Sequence, residues 1–392
     1  MHLQTLLIVI LLSFACGQDR QITPVLNPGC KTSTNCSTTL VYIKAAGAHD
    51  TVHQLWDFTR GVPTIIYVIS KPGTTLNITW VDEIPVEFKL SDKPMYSFAA
   101  TIDKLQEYND IENNGHIDNK SPQRELPLRH VVWERADSQL SEKEAMLHMR
   151  GLFRDRSQRG VLDMKLDLLP FKDYAIDLPH LIHTANSTLV DVGLVNLTSS
   201  GDYNASRFAI HFTMASTDAT SDSMTYSMRK SLDDEHTPGV FEIFEIKTPK
   251  SSRSGDGGFM QFRPVCYTEA ARSVSSSTNA YITNFTRTFL PKWGTLHDFY
   301  SKLDPNNLLV QDMFISFGLP GDGFYRQHNY TSWSFTIGYG VPPVENFSLF
   351  VIIIISIGLG VPVLLAVSGI AFVLVRRCKQ ARIPPARFTD DE

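Results

Sequence analysis

The sequence predicts a mainly β protein that ends in one transmembrane α-helix. Two observations support this fold class: short runs of β-branched and aromatic residues recur between turn residues along most of the chain, and a long uncharged segment lies near the carboxyl end. Many short strands separated by polar turns are typical of antiparallel sandwiches. We therefore expect an antiparallel β-sandwich-like domain, formed as one unit or as two β-rich subdomains, followed by a membrane anchor.

Length and composition exclude several other classes. A chain of 392 residues is long enough for one large domain or two ordinary ones with a buried core. Its formal net charge of −5 gives no basic excess for binding nucleic acid. Five cysteines are too few for a small disulfide scaffold, and 23 glycines with 21 prolines are too few for a collagen-like chain.

Residues 1–17 have the features of a secretory signal peptide. An apolar run from Leu6 to Phe14 is interrupted only by Ser13, and small residues suited to a signal peptidase follow it. The run is shorter than the roughly 20 residues that a membrane span requires. A buried N-terminal strand is the alternative, but we favour cleavage after Gly17, which leaves residues 18–348 as the main domain.

This main domain has the periodicity of strands, with apolar runs that turn residues such as Pro and Gly separate. Helical patterns are few, and the best are at 141–150 and 296–303. Polar stretches at 107–129 and 251–258 are long loops or subdomain joints, and we place a division into two β-rich halves near residues 170–185. The predicted strands are 40–44, 64–69, 76–80, 95–102, 161–169, 188–197, 208–214, 240–246, 259–267, 314–318 and 333–339.

Residues 349–375 form the predicted transmembrane helix, because they contain no charged side chain. As a helix they would extend about 40 Å, enough to cross a hydrocarbon core of about 30 Å. Lysines and arginines follow at once between positions 376 and 382, whereas Glu345 precedes the segment. Since positive charges remain cytosolic, we predict a type I, single-pass protein whose tail, residues 376–392, lies in the cytosol and whose main domain is lumenal.

Three residues in or just after this helix indicate further interactions. Ser356 and Gly360 stand four residues apart, a spacing of small residues that lets a neighbouring helix approach closely, although such pairs also occur by chance. Cys378, beside the membrane, is a candidate for palmitoylation or an unmodified thiol.

Nine N-x-S/T sequons lie in the predicted lumenal part, more than chance provides for this length. Glycans require solvent-facing asparagines, so the sequons also mark loops and strand edges. Asn346 lies close to the membrane segment and Asn119 is followed by Lys-Ser-Pro, so we expect about seven occupied sites. The sequon asparagines are Asn35, Asn77, Asn119, Asn186, Asn196, Asn204, Asn284, Asn329 and Asn346.

Three cysteines lie in the lumenal part after cleavage of the signal peptide. A bridge between Cys30 and Cys36 would close a small loop. Cys266 would then be buried and reduced, or paired between chains, and the sequence alone does not decide the connectivity.

The search for catalytic chemistry yields one weak candidate. The chain contains no H-E-x-x-H, C-x-x-C pair, EF-hand, Walker A or G-x-S-x-G motif, so we expect no cofactor, metal or catalytic residue. Asp233, Asp234, Glu235 and His236 are consecutive and would make a cation site or an acid–base pair. We favour a charged, solvated loop, because adjacent like charges point in different directions.

Three segments resemble the glycosylated lysosomal membrane protein family. They are SLDDEHTPGVFE at 231–242, GFMQFRPVCYT at 258–268 and YTSWSFTIGYGVPPVE at 330–345, and they occur in that family's order before a single span. The resemblance is firm from about residue 205 to 375. It implies a heavily glycosylated lysosomal protein without catalytic residues, which acts as accessory subunit of a major-facilitator-type transporter that exports dipeptides. In that partnership the glycosylated domain shields the transporter from proteases.

The tail departs from this family pattern, since residues 376–392 contain no tyrosine for a sorting signal. Delivery to the lysosome would then depend on the partner, or the chain would reside at the cell surface or in endosomes. We therefore rank a lysosomal accessory subunit first, a cell-surface adhesion or receptor glycoprotein second, and a membrane-tethered lumenal hydrolase third. A second copy of the chain is a further candidate partner, and nucleic acid is not.

Overall fold

Two ten-stranded antiparallel sheets and a separate two-stranded hairpin make up most of the protein in the computed structural model. The structure describes residues 20–30, 36–117, 121–155, 157–170, 184–218, 222–230, 242–263, 266–343 and 349–380. Every described strand pair is antiparallel, which confirms the predicted fold class. Residues 1–343 form one compact unit and residues 344–392 a second.

The described strands and helices are as follows. Those before residue 200 are β1 (Gln21–Leu26), β2 (Leu40–Ala46), β3 (Thr51–Asp57), β4 (Thr64–Ser70), β5 (Leu76–Val81), β6 (Ile84–Leu90), β7 (Tyr96–Asn109), β8 (Gln123–Pro127), β9 (Val131–Leu140), β10 (Ala145–Phe153), β11 (Val161–Leu168) and β12 (Ser187–Val195). Those after it are β13 (Ser206–Thr217), β14 (Thr225–Lys230), β15 (Glu242–Lys247), β16 (Gly258–Phe262), β17 (Cys266–Tyr267), β18 (Ser277–Thr278), β19 (Ala280–Ile282), β20 (Thr286–Arg287), α1 (Thr295–Tyr300), β21 (Leu308–Phe317), α2 (Tyr325–His328), β22 (Tyr330–Tyr339) and α3 (Leu349–Gln380).

The two sheets interleave the first and second halves of the chain. The first sheet runs β1-β2-β3-β4-β7-β13-β21-β19, with β8 and β20 pairing β7 and β21. The second runs β14-β15-β16-β22-β12-β11-β10-β9, with β17 on β22 and β18 on β17. Each sheet therefore takes strands from both sides of residues 170–185, so a division there would cut both sheets; residues 171–183 themselves lie outside the described residues.

The first sheet is buried on both faces, which explains why the run at 64–69 is apolar at almost every position. Ile65, Tyr67 and Ile69 of β4 point into the core between the two sheets. Ile66 and Val68 point the other way, into a smaller core with α1 and the β5–β6 hairpin. Because side chains alternate along a strand, a doubly covered strand needs apolar residues at consecutive positions.

Trp333 of β22 lies at the centre of the larger core and is fully buried. Its ring centroid lies 4.4 Å from that of Phe335, 5.1 Å from that of Phe262 and 5.4 Å from that of Phe212. Phe212 belongs to the first sheet and the others to the second, so this aromatic cluster joins the two layers of the core.

The two helical predictions of the main domain have different outcomes. The prediction of a helix at 141–150 is wrong, because β10 covers Ala145–Phe153 and pairs with both β9 and β11. Ala145, Leu147 and Met149 are buried at alternate positions, which is strand periodicity. The pattern at 296–303 does mark a helix, since α1 covers Thr295–Tyr300.

The predicted anchor is one helix, α3, which continues five residues past the predicted end at 375. Its segment Ile353–Arg377 has a mean hydropathy of 2.4 and is a candidate membrane span by length and composition. Apolar side chains from Ile353 to Val375 are exposed all round the helix, and such a surface is stable in lipid rather than in water. Pro362 lies inside it.

Candidate functional site: sequons at one end of the sandwich

Two sequon asparagines far apart in sequence are neighbours in the fold. Val195, the last residue of β12, pairs with Tyr330, the first residue of β22. Asn196 and Asn329 flank this pair, and the backbone N–H of Asn196 donates to the carbonyl of Asn329 at 2.7 Å. Both asparagines are exposed and have positive φ angles of 52° and 53°, which asparagine tolerates better than most residues.

A third exposed sequon asparagine, Asn204, lies at the same end of the sandwich, two residues before β13. Tyr325 of α2 connects the residue after Asn196 with the strand that follows Asn204. Its hydroxyl accepts a hydrogen bond from the N–H of Leu197 at 2.9 Å, and its ring packs edge-on against Phe208 of β13. We call the end that carries Asn196, Asn204 and Asn329 the sequon end.

A buried carboxylate holds the loop between Asn196 and Asn204. Glu107, at the end of β7, is fully buried and accepts hydrogen bonds from the N–H of Ser200 at 2.8 Å and from the Ser206 hydroxyl at 2.7 Å. Arg124 of β8 neutralises the same carboxylate at 2.7 Å. Because a buried charge is tolerated only when it is paired and hydrogen-bonded, these contacts fix the loop against β7 and β8.

Ser206 therefore has two functions. It is the third residue of the Asn204 sequon, so its hydroxyl is required for glycan transfer. In the folded chain the same hydroxyl is fully buried on Glu107. The sequence contains the sequon but no sign of this structural bond, because Glu107 lies about a hundred residues earlier, at the start of a polar stretch.

A second buried ion cluster holds the loop before Asn329. Arg207 is 5% exposed and lies 2.8 Å from Asp110 and 2.8 Å from Asp322. It also donates to the Asn113 side chain at 2.8 Å, and its guanidinium lies 5.1 Å from the centre of the Phe324 ring. Two carboxylates and an amide satisfy the guanidinium, so this cluster stabilises two loops and offers no unpaired charge to a ligand.

The other described sequons are distributed over the rest of the main domain. Asn77 and Asn284 are exposed, whereas Asn186 is half-buried and its side-chain oxygen accepts a hydrogen bond from Arg20. Asn35, Asn119 and Asn346 lie outside the described residues. Occupancy of each of the nine sites stays a prediction.

The cysteines agree with one of the alternatives that the sequence leaves open. Cys30 and Cys36 form the predicted disulfide. Cys266 of β17 is free and fully buried, and burial raises the pKa of its thiol well above the ordinary value. A second chain could not reach this sulfur without unfolding β17, so the structure favours a reduced, buried Cys266.

Metal-binding groups do not converge in the described part of the chain. The predicted cluster Asp233, Asp234, Glu235 and His236 lies outside the described residues. Across the ranges that the structure describes, no three His, Cys, Asp or Glu side chains converge as a metal site would require.

Sequence reasoning missed a buried His53, which lies between two hydroxyls. Its Nδ1 is 2.8 Å from the Tyr42 hydroxyl and its Nε2 is 2.8 Å from that of Ser70. Burial, assisted by the charge of Lys44, lowers the pKa of His53 to about 4, and burial raises the pKa of Tyr42 to about 12. His53 and Ser70 are inaccessible to solvent, so a substrate cannot reach them, and this chain of hydrogen bonds is structural.

In α3, Ser356 is exposed and Gly360 is half-exposed. Four residues correspond to about one helical turn, so the two share a face. Cys378 lies in the last turns of α3, but its side chain is not among those described.

An antiparallel sandwich with exposed sequons, followed by one candidate span among the described residues, is the arrangement expected of a membrane-anchored glycoprotein. The sequence profile of the family described as glycosylated lysosomal membrane protein matches residues 39–380. The chain therefore belongs to this family of lysosomal membrane glycoproteins, as the resemblance of its three segments predicts. The family is one of membrane glycoproteins rather than of enzymes.

Individual relatives match over nearly the whole chain. The protein is 28% identical to the glycosylated lysosomal membrane protein of Danio rerio over 377 residues, which cover 91% of this chain and 89% of the relative. It is 26% identical to glycosylated lysosomal membrane protein A of Xenopus laevis, with 92% and 91% coverage. Identity to the human protein is 25%, with 84% and 82% coverage.

Proposed function

We propose that the chain is a non-enzymatic accessory subunit of a multi-span, major-facilitator-type transporter of the lysosomal membrane, and that it protects this transporter from proteolysis. The transporter would export dipeptides, as the family resemblance implies. In this arrangement the protein is a type I membrane protein: the sandwich lies in the lumen and the residues after α3 lie in the cytosol. The sequon end is the observation that carries the proposal.

Proteases cleave backbone that opens locally, so exposed loops are their first targets. At the sequon end the loops are held by the buried charges of Glu107 and Arg207. Glycans on Asn196, Asn204 and Asn329 would cover the same loops with bulky, solvated sugar. Loops that are held rigidly and covered by glycans would resist proteolysis, and this protective role requires no catalytic residue.

The single span provides a means of association with a multi-span partner. Lipid-exposed helices associate through close packing of small residues, and Ser356 and Gly360 give α3 one such face. Gly369 offers a matched control: nine residues from Gly360, at about 100° per residue, it lies on the opposite side of the helix. Replacing Gly360 by Leu should reduce copurification of the transporter, whereas Gly369→Leu should not.

The decisive experiment is a pulse-chase measurement of transporter lifetime in lysosomes of cells that lack this chain. We expect a shortened lifetime, restored by the wild-type chain and only partly by a variant with Asn→Gln at 196, 204 and 329. An Asn→Gln variant at 77 and 284, which removes exposed sequons elsewhere, should restore more. A transporter lifetime that is unchanged by loss of the chain would refute the protective role, and cell-surface labelling in place of lysosomal localisation would favour the adhesion or receptor alternative.

A further inference from the structure

The end of the sandwich opposite the sequon end is where β22 finishes at Tyr339 and the chain continues towards α3. The ring of Tyr339 lies 5.9 Å from that of Tyr96, the first residue of β7. The next residue, Ser97, donates its N–H to the Thr217 hydroxyl at 2.8 Å, and Thr217 pairs with Leu308, the first residue of β21. These contacts place the end of β22 and the start of β21 together, and we call this the exit end.

Large apolar side chains are exposed at the exit end. The N–H of Thr288 donates to the carbonyl of Val310, near the start of β21, so the next residue, Phe289, lies close to this end, and it is 93% exposed. Trp293 does not belong to this surface, because Thr295, two residues later, bonds to Asp57 at the far end of β3. Val341, two residues beyond β22, is 74% exposed. Lys292, three residues after Phe289, is an exposed positive charge.

Aromatic side chains are otherwise well covered in the main domain. Among its described residues, the exposed aromatic side chains are Phe289, Trp293 and Tyr226. Tyr226 also lies at this end. Its neighbour Thr225 pairs with Lys247 of β15, which in turn pairs with Phe259 of β16. Phe259 pairs with Gly338, near the end of β22. Single exposed apolar residues need no explanation, but two exposed aromatic residues and Val341 at one end of the domain do.

We infer that Phe289, with Val341, inserts into the interface of the membrane that α3 spans. Phe, Tyr and Lys are typical of protein surfaces at the level of lipid headgroups. Only residues 344–348 separate Pro343 from Leu349, and six peptide units reach about 20 Å at most. This short connection would give lipid a higher effective concentration at the exit end than a soluble partner has.

The inference depends on α3 spanning the bilayer but on no transporter, so it can fail independently of the proposed function. Its test uses the full chain with Cys378→Ser, reconstituted alone into phosphatidylcholine vesicles that contain lipids with a spin-label quencher on the upper acyl chain. An environment-sensitive fluorophore is attached at position 289 in Phe289→Cys. Because the native side chain is almost wholly exposed, this substitution leaves the fold intact.

Ile111→Cys is the matched control, since Ile111 is 73% exposed and lies at the sequon end. We expect the label at 289 to lose most of its emission to the quencher lipids, and the label at 111 to lose almost none. Equal, weak quenching at both positions would overturn the inference. The inference would also be overturned if emission at position 289 were insensitive to the quencher but changed with the number of chains per vesicle. The exit end would then bind a second copy of the chain.

Discussion

Replacing Ser206 by Ala separates the structural role of this residue from its role in glycosylation. The substitution removes the sequon at Asn204 and also removes the hydroxyl that donates to buried Glu107 at 2.7 Å. A hydrogen bond to a charged group contributes about 1.5–3 kcal/mol. Since Ser200 and Arg124 still contact Glu107, we expect a loss of about 2 kcal/mol of unfolding free energy, roughly a thirty-fold change in the folding equilibrium.

The matched control is Asn204→Gln, which removes the same sequon but keeps the buried hydroxyl. Both variants should show the same change in gel mobility if Asn204 carries a glycan. In urea titrations followed by tryptophan fluorescence, only Ser206→Ala should then unfold at a clearly lower midpoint than its control. Equal midpoints for the two variants would show that the bond to Glu107 contributes nothing measurable, and would refute the reasoning.

Three further predictions concern buried groups and one tight turn. Burial lowers the pKa of His53 from 6.5 to about 4, so between these pH values the unfolded chain binds a proton that the folded chain does not. The free energy of unfolding should therefore fall by about 3 kcal/mol as the pH drops from 6.5 to about 4. His53→Gln should reduce this dependence of stability on pH. Gly160 has a φ of 103°, and an added Cβ would lie 2.5 Å from the carbonyl oxygen of Asn196. Gly73 is the control, since its φ is 82° but no atom lies within 4 Å of an added Cβ. Gly160→Ala should therefore lower the midpoint of thermal unfolding more than Gly73→Ala does. Cys266 should resist iodoacetamide in the native protein and react after denaturation, as mass spectrometry would detect; labelling of the native protein would contradict its burial.

The class of fold was accessible from the sequence because strand periodicity and the uncharged segment are local signals. The error at 141–150 shows where local signals fail. Glu, Lys, Ala and Met favour helix there, yet pairing of Ala145 with Leu140 on one side and Leu168 on the other imposes a strand. The alternation of Ala145, Leu147 and Met149 was the signal that could have corrected it.

The candidate site was only partly predictable. Every sequon was visible in the sequence, but the contact between Asn196 and Asn329 arises from the pairing of β12 with β22, which no local pattern reveals. The stretch beginning at Glu107 was interpreted as a polar loop or joint. Glu107 instead lies near the end of a 14-residue strand, and its charge is compatible with burial only because Arg124, Ser200 and Ser206 surround it in three dimensions.

The order in which the strands are synthesised has a consequence for biogenesis. β22 lies between β16 and β12 in the middle of the second sheet, yet it is the last described strand to leave the ribosome. Until it emerges, β12 and β16 have no neighbour between them, and such distant pairings form slowly and leave edges open to aggregation. Only residues 340–348 separate β22 from α3. The nascent domain therefore acquires its middle strand while its anchor is entering the bilayer, so maturation of the sandwich and insertion of the span coincide in time.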